Sequence, residues 1–347
     1  MKDLAILLFA VYGAAAAQPQ TAREFNDRGL EAYGRGDYAG AERLYREAIP
    51  IWQALGEPFA PHLGVTRMNL GQALAGQGKR AEATSELKGS VALLRRTVGV
   101  RHLDTLIAMN LLAGLGLMTG DDSLAASLLA EALPIERDLY PADVQLARTL
   151  AGLSCLRIRQ GRAPEALPLA EEALTVAIAS TGGESVDTAL ASATVAEAHR
   201  TLGYPERALP LYRRAEELYR KHLGPQHPRV ASMLAQEALI LIGDHKLAMA
   251  ERQLKEAMEI LNHSCPDCNA ERWGLDADLG ILRSRQGRYG EADRLLTEAV
   301  TLLEKSEPAP SADLAATLKA LAIVRRKERR FEEADRLDHR AATLSLR

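Results

Sequence analysis

Apolar and polar positions along this chain repeat at helical spacing, and the clearest example runs from Val65 to Leu94. Small and apolar residues (Leu70, Gly71, Ala73, Leu74) lead to a turn at Gly76-Gln77-Gly78-Lys79. A second run, Arg80-Ala81-Glu82-Ala83 and onward, is apolar at a period near 3.6 residues. This pattern predicts a helix, a tight turn and a second helix. Stepping from Ala83 in both directions reaches Ala41, Ala125, Ala166, Ala208, Ala250, Ala292 and Ala334, at steps of 42, 42, 41, 42, 42, 42 and 42 residues. So regular a period predicts stacked units in which each hairpin touches only its neighbours. No segment alternates in the two-residue rhythm of a strand, so no sheet is expected.

Each unit repeats the same slots. Glycine holds the turn at Gly36, Gly78, Gly120, Gly161, Gly203 and Gly287, which suits a backbone of positive φ. His245 and Arg329 occupy that slot in repeats six and eight. Small residues pair across the hairpin, as Gly71 with Ala83 and Gly280 with Ala292, and permit helices about 8–10 Å apart. The repeats lie near residues 22–58, 59–100, 101–141, 142–183, 184–225, 226–268, 269–309 and 310–347. In the last, Asp338, His339 and Arg340 make the second helix polar, as a terminal cap requires.

The first 17 residues read differently. Lys2 precedes an apolar run from Leu4 to Tyr12, and Ala15 and Ala17 fit an Ala-x-Ala cleavage site before Gln18. The run is short of the ~20 residues that span a bilayer. Residues 1–17 are therefore expected to be a signal peptide, and residues 18–347 a periplasmic or secreted array without an integral membrane segment.

Composition narrows the function. With 43 basic and 46 acidic residues the formal net charge is −3, which gives nucleic-acid binding no support. Aromatic content of 4% leaves few platforms for bases, against 47% hydrophobic residues available for a Leu- and Ala-rich core. Opposite charges alternate along the helices, as in Glu42-Arg43 and Arg46-Glu47, the pattern of solvated faces.

Small residue on helix A, Ala on helix B, then an aromatic and another Ala: this order, seen in Ala41-Tyr45-Ala48 and Ala208-Tyr212-Ala215, resembles the tetratricopeptide repeat. The eight additional residues per unit, and the junction Leu223-Gly224-Pro225-Gln226-His227-Pro228, are similar to the kinesin-light-chain type of that family. The resemblance covers roughly residues 22 to 347. It implies an all-α fold, a right-handed α-α superhelical solenoid of about eight repeats. It also implies a concave groove, lined by the first helices, that binds a protein or peptide. Carrying the family's groove positions over gives Asn26, Leu30 and Tyr33, then Met68 and Gln72, then Asn110 and Met118. Later repeats supply Arg148, Arg159, Glu197, Arg200, Arg285, Lys319 and Arg326. Asn69 and Asn110 resemble an Asn common in kinesin-type arrays. The arginines of the C-terminal half suit the carboxylates of an acidic peptide, with ordinary solvated side chains as the alternative.

Chemistry finds little foothold. Cys155 lies on a first helix as a small packing residue. Cys265 and Cys268, in His263-Ser264-Cys265-Pro266-Asp267-Cys268, are candidates for a local disulfide in an exported protein. Zinc would need a ligand beyond those two thiols and His263, a thioredoxin-like role would need a strand before the motif, and two inert thiols complete the alternatives. No phosphate-binding loop or nucleophile elbow occurs. The expectation is a non-catalytic scaffold without metal or cofactor. A self-associating structural component of the cell envelope is the alternative.

Overall fold

The computed structural model describes residues 2–264, 269–305 and 311–344, with side chains placed in 18–264, 272–305 and 313–344. Sixteen α-helices and one 3₁₀ turn, Glu57–Phe59, account for the described residues, which contain no strand. The helices pair as hairpins: α1 (Lys2–Gly34) with α2 (Tyr38–Leu55), α3 (Ala60–Gly76) with α4 (Arg80–Thr97), and α5 (Leu103–Thr119) with α6 (Asp122–Leu139). Next come α7 (Val144–Arg159) with α8 (Ala163–Thr181), α9 (Val186–Thr201) with α10 (Pro205–Leu223), and α11 (Pro228–Gly243) with α12 (Leu247–Ser264). The last are α13 (Asn269–Arg285) with α14 (Tyr289–Lys305), and α15 (Ser311–Lys327) with α16 (Phe331–Leu344). The chain forms two compact units. One comprises Met1–Leu115 with Leu128–Ile135, the other Gly116–Ser127 with Glu136–Arg347.

The hairpins close because small residues recur where two helices cross. All eight anchor alanines, Ala41 to Ala334, have 0% exposure. Seven residues beyond each anchor stands Ala48, Ser90, Ala132, Ala173, Ala215, Ala257, Ala299 or Ala341, and all eight are likewise fully buried. The one hydroxyl in that series, on Ser90, donates to the Gly64 carbonyl at 2.7 Å, which removes the penalty of burying it. On the opposing helix the glycines are sterically required. A Cβ on Gly71 would stand 2.7 Å from Leu87 Cγ, and one on Gly280 2.7 Å from Leu296 Cγ. The anchor's own carbonyl, 3.4 Å from the Gly71 position, is the second obstacle. Where the slot holds Ser154, its hydroxyl donates to the carbonyl of the anchor Ala166 at 2.9 Å.

Turns and junctions follow from the same local chemistry. Gly36, Gly78, Gly120, Gly161, Gly203 and Gly287 take φ between 72° and 85°, and His245 (59°) and Arg329 (64°) keep that left-handed conformation despite their side chains. At the junction before α11, Gly224 turns the chain at φ 91°, and His227 caps the helix, its Nδ1 accepting from the Arg229 amide at 3.1 Å. Pro228 then occupies the first turn, where a missing N–H costs nothing. Burial and Arg229 hold the His227 imidazole down to about 4, so it stays a neutral acceptor at physiological pH. Successive second helices are tied on their outer side by Arg95–Glu131, Arg137–Glu172, Arg220–Glu256 and Arg340–Glu304 ion pairs. Each such exposed pair contributes no more than about 1 kcal/mol.

The two non-glycine turns carry avoidable strain. Replacing His245 or Arg329 by glycine is expected to raise stability by about 1 kcal/mol each, since a left-handed residue with a Cβ costs about that much. Urea unfolding of the single variants measures it, and an unchanged or lower midpoint would show that the side chains compensate for the strain.

Candidate functional site

With the small residues spent on packing, several first helices keep side chains that no neighbour covers, such as Leu30, Met118 and Ile323. In the second unit, α7 packs on α9, and α13 packs on both α11 and α15. Their uncovered stripes therefore lie side by side. The coil of this unit brings the end of α7 back toward the start of α15, close enough for the Arg159 guanidinium to act on the Asp313 carboxyl.

Most of the arginines expected there are already committed. Arg148 pairs with Asp187 at 2.7 Å and Arg159 with Asp122 at 2.9 Å. Arg200 forks onto Glu197, which also accepts from the Tyr212 hydroxyl at 2.5 Å. Burial and that carboxylate push the Tyr212 phenol well above its usual range. Arg326 binds Asp335 at 2.9 Å and Asp338 at 2.5 Å. Arg285 and Lys319 are exposed, with no ion pair among the described residues.

The first unit corrects other expectations. Met68 is only 6% exposed and sits in the core, because its slot faces the neighbouring helix while Gln72, four residues on, keeps the open side. Asn26 is taken up in packing: its Oδ1 accepts from Asn69 Nδ2 at 3.1 Å and from Thr66 Oγ1 at 3.4 Å. Thr66 in turn accepts from the Trp52 indole at 3.1 Å. The Asn carried over from the family thus fastens α1 to α3. Tyr33 stacks near Tyr38, ring centroids 5.2 Å apart, and Leu30 is 47% exposed. Asn110 on α5 is half-buried and has a partner of its own. Met118, on the part of α5 that belongs to the second unit, is 59% exposed.

What the stripe of the second unit leaves unmatched is acidic. Asp278, on α13, has no hydrogen-bond or ion-pair partner among the described residues. Burial pushes its carboxyl up to about 8, and Arg200, already bound to Glu197, pulls it only partly back. At the equivalent slot of the adjacent α11, Gln236 presents an Oε1 that is sealed from water and accepts no hydrogen bond. Asp313 on α15 is raised as well, chiefly by burial. One turn further along, Leu239, Ile281 and Ile323 share a slot, and Ile323 is 54% exposed. None of these residues stood out by type alone. Their common offset from the anchor alanine was the signal available.

Other chemistry recedes. Burial pushes the Cys155 thiol up to about 11, so it stays protonated and unreactive at neutral pH. Cys265 and Cys268 lie outside the described residues. A cleft of about 290 Å³ is lined by Arg325, Glu333, Arg336, Leu337 and Arg340, but its arginines already bind Asp293, Glu333, Glu332 and Glu304.

Stacked helical hairpins, with uncovered side chains on several first helices, define a helical repeat protein of the binding-scaffold architecture. Family models described as tetratricopeptide repeat match residues 25–55, 65–138 and 145–221, just over half of the chain. The chain belongs to the tetratricopeptide repeat family. A Rap protein complexed with competence and sporulation factor is similar in structure, 16% identical with a TM-score of 0.70, over 94% of this chain and 85% of that one. The Rap conjugation gene regulator of plasmid pLS20, in complex with the Phr* peptide, is 13% identical with a TM-score of 0.62, over 81% and 73%. A putative kinesin light chain from Podosopora anserina is 19% identical with a TM-score of 0.42, over 57% and 94%. The Rap likenesses are of fold. No curated protein matches the sequence.

Asp278 weakens the fold it stands in. The unfolded chain ionises this carboxyl near pH 4 and the folded chain near 8, so folding takes up a proton between those values and stability falls as pH rises. Asp278→Asn is expected to stabilise the protein at pH 8 by at least about 1.4 kcal/mol, the worth of one pKa unit, and the gain should fade toward pH 4. Denaturation at both pH values checks it, and a gain independent of pH would contradict it.

Proposed function

We propose that this protein is a non-catalytic scaffold that holds a peptide or an unfolded protein segment against the first-helix stripe of its second unit. The observation that carries the reading is the row Leu239, Ile281 and Ile323, apolar side chains at one common slot of the adjacent first helices α11, α13 and α15, of which Leu239 and Ile281 are part-exposed and Ile323 is 54% exposed. Apolar side chains aligned at a surface are a feature of binding sites. The Rap structures that share the fold are named as complexes with competence and sporulation factor and with the Phr* peptide, and peptide binding by this chain is consistent with them.

A photo-crosslinking amino acid placed at Ile281 or Ile323 should capture a ligand in the native host, while the same group at Arg252 or Arg294 on the second helices should not. Capture from the second helices alone would remove the reading. Export belongs to the same proposal, because Lys2, the apolar run and Ala15 and Ala17 have the order of a cleavable leader. Intact-mass measurement of the protein from its host should then give a chain beginning at Gln18, and a chain retaining residues 1–17 would refute export by this route.

A further inference from the structure

Four second helices open on the same i, i+4 pair: a ring or leucine three residues before the anchor alanine and a carboxylate one residue after it. Tyr38 with Glu42, Leu247 with Glu251, Tyr289 with Asp293 and Phe331 with Asp335 are its instances. The first three dock the hairpin that follows. Glu42 accepts from Gln77 and from Lys79, each at 2.7 Å. Glu251 accepts from Arg283 at 3.1 Å and from Gln286 at 2.9 Å, and Asp293 accepts from Arg325 at 2.8 Å. The ring of Tyr38 lies so close over Gly76 that a Cβ there would stand 2.9 Å from it. The fourth pair has no described helix in front of it. Phe331 is 58% exposed, and the Asp335 side chain, 72% exposed, is paired with Arg326 of its own hairpin.

The first hairpin holds the matching half. Gly34 occupies the slot of Gly76, seven residues before the anchor, and a Cβ built on it meets nothing within 4 Å. Arg35 occupies the slot of Gln77 and Gln286, is exposed, and has no ion pair among the described residues. Asp37, at the slot of Lys79, is turned to its own helix, where it accepts from the Gly40 amide at 2.8 Å. We infer that α16 docks on α1 of a second copy of this chain, with Phe331 over Gly34 and Asp335 accepting from Arg35. The joint that follows Tyr38, Leu247 and Tyr289 within one molecule is thereby repeated between two. Glu24, Arg28 and Glu31 keep the rest of that α1 face polar, at slots that Thr66, Leu70 and Ala73 fill and bury in the next repeat. The contact is therefore small and of the weak, transient class. It is heterologous, head to tail, so copies add in a line or close a ring. It lies apart from the first-helix stripe and goes beyond the peptide reading.

Sedimentation equilibrium of the full chain, from about 1 μM to about 1 mM, tests it. The weight-average mass should rise with concentration. Arg35→Asp alone and Asp335→Arg alone should each weaken association at least about tenfold, because like charges then face each other across the joint. An equal mixture of the two variants should restore it, since every head then meets a tail of opposite charge. Gly34→Leu should block association with helix content intact, as its side chain has open space in the single molecule. Three results would each overturn the inference. One is a protein that stays monomeric throughout. Another is association untouched by all three substitutions, as contact through residues 1–17 would give. The third is a pair of weakened charge variants that the mixture fails to rescue.

Discussion

Everything in this protein depends on two helices coming close enough for backbone to touch side chain across the hairpin. The eight anchor alanines, and the small residues one heptad beyond them, are sealed completely. At Gly71 and Gly280 there is no room even for a methyl group. Such closeness makes the hairpin a rigid block, because overpacking there costs roughly 1–3 kcal/mol per misplaced side chain. It also explains the modest aromatic content: the interior is filled by Leu against Ala and Gly, with a few large rings, Tyr45, Trp52, Tyr212 and Tyr219, buried among them.

A hairpin of this kind buries two sides of each helix and must leave a third open. On the second helices the open side is solvated and laced by ion pairs between successive repeats, which individually contribute little and together keep that face wet. On the first helices of the second unit the open side keeps Arg285, Lys319 and Ile323 exposed, and half-buried charges there, such as Arg148 and Arg200, are closed in ion pairs. Arg200, Glu197 and Tyr212 show the satisfied version, three groups closed on one another. Gln236, whose Oε1 is sealed from water without a donor, shows the unsatisfied one, and Asp278 on the adjacent first helix has no partner either.

Several slots that looked equivalent proved to have different jobs. Asn69 resembled the Asn of kinesin-type arrays and Asn26 a groove position, but the two bond to each other and join α1 to α3. Met68 lies one residue off the open stripe and is consequently core. The worn His-Pro junction has a plain physical role, since His227 caps α11 and Pro228 fills its first turn. Cys155, the most conspicuous nucleophile on a first helix, is protonated and inert.

The amino-acid order by itself determined the helices, the hairpins, their 42-residue rhythm and the turns, because each of these rests on contacts within a few residues or on a slot that recurs eight times. Even the strained turns at His245 and Arg329 were visible as departures from the glycine slot. Which charges remain available was decided only by the tertiary structure. The partners of Arg137, Arg148 and Arg159 lie 35 to 39 residues away, offset from the repeat by a few positions that depend on how one hairpin tilts against the next. A run of arginines therefore reads as a basic groove in sequence and becomes a set of closed ion pairs in space, while a single aspartate, Asp278, unremarkable in the chain, is left without a partner.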